Sequence, residues 1–110
     1  RVLPGYFNVV AGYATTTWTG TTTQLIAPAP ANITVVSARC ETTVGTVGVS
    51  LYDGTNRATY MPTASTTINT FTFSTNNTFT AGETMRVDFG TPASSPTQIA
   101  CRFKYTYDAD

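Results

Sequence analysis

Six carboxylates, six cations and two cysteines are the side chains with which this chain of 110 residues could do acid–base, nucleophilic or metal chemistry, and histidine is absent. Imidazole therefore drops out as base, proton shuttle or metal ligand. A glycosidase needs two carboxylates facing each other across a cleft. Glu41, Asp53, Glu83, Asp88, Asp108 and Asp110 fall instead in turns, on outward strand positions or at the chain end. Without histidine a serine nucleophile would need a lysine base, and the sole lysine, Lys104, belongs to an outward strand face. Zinc asks for histidines or more than two cysteines, and Asp108-Ala109-Asp110 offers calcium only two carboxylates. The expectation is a protein that is not an enzyme and holds no metal and no cofactor.

Composition says what the elements around these residues must be. About a quarter of the chain is threonine. This β-branched residue suits a pleated surface that is half solvated, so the outside is covered with hydroxyls in place of charge. Charged residues make up 11% and balance to a net charge of zero, so no overall field draws the chain to nucleic acid or to an acidic membrane. No apolar run approaches the roughly 18 residues of a membrane span, and Arg1-Val2-Leu3-Pro4-Gly5 lacks the pattern of a secretory signal, so a soluble chain is expected. Asn32-Ile33-Thr34 and Asn76-Asn77-Thr78 match the glycan acceptor pattern, as chance alone would provide in so threonine-rich a sequence.

Apolar residues alternate with period two, and no window carries a helical stripe. Strands are predicted at 6–13, 22–26, 33–41, 46–52, 57–61, 68–73, 77–79, 84–89 and 98–107. Ala27-Pro28-Ala29-Pro30 reads as a stiff connector and Asp53-Gly54 as a hairpin turn; Asn76-Asn77 and Ala81-Gly82-Glu83 are further turns. The alternation predicts a core of Val36, Ala38, Cys40, Val47, Val49, Leu51, Phe71, Phe73, Phe79, Met85, Val87, Phe89, Ile99, Cys101, Phe103 and Tyr105. One apolar face per strand needs a second layer to cover it. The predicted fold is all-β: a single domain over 1–110, a two-sheet antiparallel β-sandwich of jelly-roll type.

Cys40 and Cys101 both occupy inward positions, either as a disulfide or as two buried small hydrophobes. Charge pairing bears on their register. Cysteines directly opposite on antiparallel neighbours would set Arg39 against Arg102, a like-charge pair, whereas a shift of two residues faces Glu41 with Arg102. The shifted register is the one expected from charge.

The aromatics Tyr6, Tyr13, Trp18, Tyr52, Tyr60 and Tyr107 include positions that the core does not require. Exposed rings of this kind stack on sugars, anchor protein interfaces or close the edge of a core. Tyr6, Tyr13 and Trp18 share the N-terminal third, 1–31, which exceeds what the sandwich core needs. That third is expected to be an interaction arm or edge strand, and binding centred on it should respond little to salt because the chain is neutral.

From residue 32 onward the order of phrases is distinctive: Asn32-Ile33-Thr34-Val35-Val36-Ser37-Ala38-Arg39, then Val47-Gly48-Val49-Ser50-Leu51-Tyr52-Asp53-Gly54, then Thr78-Phe79-Thr80-Ala81-Gly82-Glu83 ahead of Met85, Val87 and Phe89. This order resembles small β-sandwich domains of tailed-phage virions, found as capsid decoration (cement) proteins and as modules on tail and fibre proteins. The resemblance spans residues 32–107 and implies no catalytic residue. It implies a virion structural protein on the surface of a capsid or tail, with a capsid or tail protein as partner and a homo-oligomer, most simply a trimer, as its state. A carbohydrate-binding or receptor-recognition module is the alternative, with a glycan stacked on the exposed rings.

Overall fold

The computed structural model describes residues 1–12, 22–52, 63–74, 77–90, 93–94 and 96–109. In chain order the strands are β1 (Val2–Gly12), β2 (Thr22–Pro28), β3 (Ile33–Thr42), β4 (Val47–Tyr52), β5 (Thr63–Ala64), β6 (Asn69–Thr72), β7 (Thr78–Phe79), β8 (Thr84–Phe89) and β9 (Gln98–Asp108). They form two antiparallel sheets. One has the order β1-β9-β3-β6, with β7 also on β3, and the other has the order β2-β8-β4-β5. β6 and β7 lie on the same edge of β3 and act as two halves of one interrupted strand. β4 and β5 are neighbours in the second sheet, the other connections pass between the sheets, and the result is a jelly roll, as the sequence predicted. The predicted strand at 57–61 and the Asp53-Gly54 turn lie outside the described residues.

Burial follows the alternation. Val47, Val49 and Leu51 of β4, Met85, Val87 and Phe89 of β8, and Ile99, Cys101 and Phe103 of β9 all face inward and are buried. Phe7 stacks on Phe103 at 4.9 Å between ring centroids, and Phe73 flanks Phe103 at 6.0 Å, so the middle of the sandwich is an aromatic layer. Tyr105 is half-buried against this core. It lies opposite Gly5, where a Cβ would come within 2.3 Å of its ring; glycine lets the ring cover the neighbouring strand.

Val36 corrects the predicted core. A bulge in β3 between Val35 and Ser37 inserts one residue against β9 and reverses the parity of the strand. Ile33 and Val35 point inward before it, Ala38, Cys40 and Thr42 after it, and Val36 is left half-buried. Asn77 holds the bulge from the other side. Its side-chain nitrogen donates to the Val35 carbonyl at 2.7 Å, and the Val35 N–H donates to the Asn77 carbonyl at 2.8 Å.

Backbone bonding also explains the turn before β8. The Glu83 N–H donates to the Thr80 carbonyl, the Glu83 carboxylate accepts the Thr80 N–H, and Asn32 Oδ1 accepts the Ala81 N–H. At the opposite end Gly45 has a φ of 69°, and a Cβ there would stand 2.1 Å from the Ala93 carbonyl oxygen.

On β1, Arg1 accepts a bond from the Ala109 N–H, which fixes the alternation along the β1–β9 ladder. Odd-numbered residues of β1 bond to β9, and Val2, Pro4, Tyr6, Asn8 and Val10 turn their backbone groups toward the open edge. Pro4 has no N–H to offer there.

A disulfide joins Cys40 to Cys101 across a directly opposed pair of β3 and β9, with 4.1 Å between Cα atoms. The two-residue shift that charge pairing suggested is therefore overturned: Arg39 does face Arg102. Inward burial of Ala38, Cys40, Cys101 and Phe103 outweighs repulsion between two exposed side chains that water and ions screen.

Two outcomes are expected in urea denaturation. The bridge closes a sequence separation of 61 residues, so Cys40→Ala/Cys101→Ala should lose about 4 kcal/mol; an unchanged midpoint would refute that contribution. Gly45→Ala, strained at positive φ and against a carbonyl, should lose about 2 kcal/mol.

Candidate interaction face

The outward face of the β1-β9-β3-β6 sheet gathers residues far apart in sequence. Register sets Asn8 beside Arg102, Arg102 beside Arg39 and Arg39 beside Thr70; one pleat along, Tyr6 lies beside Lys104 and Lys104 beside Ser37. Tyr6 is 49% exposed, and the Arg102 guanidinium lies over its ring at 4.2 Å from the centroid. This cation–π contact holds the guanidinium flat and leaves its N–H donors free to point elsewhere. On the other side of the arginines Val10 and Ile68 are 60% and 50% exposed, with Ala100 between β1 and β3 in the same rows. Together these residues line a depression of about 530 Å³ that has two guanidiniums, Asn8 and Glu41 at its rim. It continues over Thr42, Thr43, Thr66 and Gln98 into a second depression of about 380 Å³.

Around the arginine pair three cations, Arg39, Arg102 and Lys104, stand against one carboxylate, Glu41, while Asp108 lies farther along β9 on the same face. Neutrality of the whole chain conceals that local imbalance. Among the described residues neither arginine forms an ion pair. The other described carboxylates are engaged: Asp88 takes both ends of the Arg86 guanidinium at 3.0 Å, Asp108 accepts from the Arg1 nitrogen at 2.8 Å, and Glu83 closes its turn. Arg86 is thereby committed to its own strand on the opposite sheet.

Of the residues singled out in the sequence, Tyr6 lies on this face, whereas Tyr13 and Trp18 lie outside the described residues. Tyr107 is half-buried, 6.1 Å from Tyr105, and closes the edge of the core. Arg39 and Ile68 were missed. Alternation marks each as outward, yet only strand order reveals that they meet Arg102 and Val10. Among the described residues no three His, Cys, Asp or Glu side chains gather into a metal-binding group.

No family model matches the chain, and no curated protein matches it in sequence. Solved structures do match in shape. A subunit of Bacillus endospore appendages, described as disulfide-linked pili, superposes with a TM-score of 0.55 at 13% identity, over 99% of this chain and 89% of that one. A chain of the cyanophage Pam1 capsid asymmetric unit superposes with a TM-score of 0.53 at 17% identity, over 98% and 86%. The common element is the fold. A chain from infectious bursal disease virus, Gt strain, aligns at a TM-score of 0.45 and 19% identity, over 96% of this chain and 32% of that one. The jelly roll thus recurs, nearly whole, in a phage capsid subunit and in a pilus subunit.

Facing arginines make a measurable prediction about the isolated protein. Arg39→Gln removes a like-charge cross-strand pair and should raise the urea midpoint, more at low than at high ionic strength. A lowered midpoint at both would show that the pair does not repel.

Proposed function

We propose that this chain is a non-enzymatic virion structural protein, a capsid decoration or tail-associated module that binds a larger lattice through the face around Tyr6. The observation that carries the reading is an exposed, locally cationic sheet face with uncovered Val10 and Ile68, on a jelly roll shared with a phage capsid subunit. The tailed-phage resemblance over residues 32–107 points the same way. A pilus linked by disulfides has less support, because both cysteines of these 110 residues are joined to each other. Interface residues in this proposal are Tyr6, Tyr13 and Trp18, with a homo-oligomer, most simply a trimer, as the binding unit. A sugar-binding role for Tyr6 is weakened by the Arg102 guanidinium lying over its ring.

Deleting the N-terminal third is a poor test, since β1 supplies buried Val9 and the Phe7 stack on Phe103. Point variants serve better. The intact protein is expected to co-sediment with undecorated capsids, to scatter light as an oligomer, and to lose roughly tenfold in affinity for the capsid in Tyr6→Ala with little loss of stability. A glycan-array signal that disappears in Trp18→Ala, with no capsid binding, would overturn the assignment in favour of a receptor-recognition module.

A further inference from the structure

We infer that the Arg39–Arg102 pair is a built receptor for a carboxylate on an acidic segment of the partner protein. This deepens the assembly role proposed above and rests on it for the identity of the partner as a protein. Like charges placed directly opposite on paired strands destabilise a sheet. Here the Cys40–Cys101 bridge, one residue along, locks the two strands in the register that makes the arginines face each other. A shift that would relieve the repulsion is no longer available to the folded chain. Arg102 is further held by the ring of Tyr6 at 4.2 Å, a contact that uses the face of the guanidinium and none of its donors. Both arginines line the depression, Arg102 with its guanidinium held and Arg39 fixed in place by the strand register. An entering carboxylate accepts from two guanidiniums at once and cancels their repulsion, so it gains more here than at a single arginine.

The rest of the depression says what should flank that carboxylate. Val10 and Ile68 are both at least half exposed beside the arginines, so an aliphatic neighbour on the incoming segment would cover them. Among its described residues, a second copy of this chain is a poor donor. Its described carboxylates are bonded internally, apart from Glu41, and Glu41 stands on the same cationic face. Charge complementarity therefore selects a different chain bearing an acidic and aliphatic sequence.

The test uses the isotopically labelled full chain and two capped peptides, Leu-Glu-Leu and Leu-Gln-Leu, followed by amide chemical shifts. The glutamate peptide is expected to perturb residues 8–10, 39–41 and 100–102, and to bind roughly tenfold more tightly than its glutamine counterpart. Arg39→Gln and Arg102→Gln should each remove most of that difference while leaving thermal stability equal or higher, and added salt should weaken the glutamate peptide alone. Equal binding of both peptides, perturbation centred elsewhere, or undiminished binding in both variants would overturn the site. Tighter binding of a phosphate-bearing oligonucleotide would overturn the choice of an acidic protein. Co-sedimentation with capsids is read separately. Capsid binding without peptide binding removes this site and keeps the assembly role, and the converse keeps the site and removes the capsid.

Discussion

Pairing of β3 with β9 lies at the centre of the five-stranded sheet, and most of the molecule depends on its register. A slip of one residue would turn Ala38, Cys40 and Thr42 outward and bring Arg39 and Glu41 toward the aromatic layer. Two devices forbid the slip from opposite ends of the strand. Near its start the bulge at Val36 is clamped by Asn77, and near its end the disulfide joins Cys40 to Cys101. Between them they also dictate which side chains meet on the outer surface. The same constraint that closes the core therefore draws the cationic face.

Much of this was legible from residue order. Period-two alternation located the strands and nearly all the buried residues, because a half-buried strand writes its two environments directly into its sequence. The failures are local and physical. Alternation places Val36 in the core because it carries no mark where a strand gains an extra residue, and the register of β3 against β9 reveals the bulge. Charge alone disfavours Arg39 opposite Arg102, and burial of the neighbouring cysteines decides otherwise. The candidate face was half legible: Tyr6 stood out as a ring that the core does not need, but its partners come from strands separated by up to about a hundred residues of chain.

The Ala81-Gly82-Glu83 phrase shows how a resemblance can have a purely mechanical cause. Glycine supplies a φ of 88°, glutamate folds back onto the Thr80 N–H, and Asn32 reaches across to Ala81. Any jelly roll that turns sharply into this strand has use for the same three roles. Their chemistry is internal to the turn, which is why Glu83 has no claim on a ligand.

Pro4 on the open side of β1 has a bearing on how copies of this molecule associate. A strand laid along that side would find one rung missing from the ladder at Pro4, so an unbroken run of main-chain bonding there starts only at Tyr6. Extension of a sheet edge to edge into a fibre uses an uninterrupted seam of main-chain bonds. The proline shortens the seam, so any association along this edge would lean on side chains as well as on main-chain bonds.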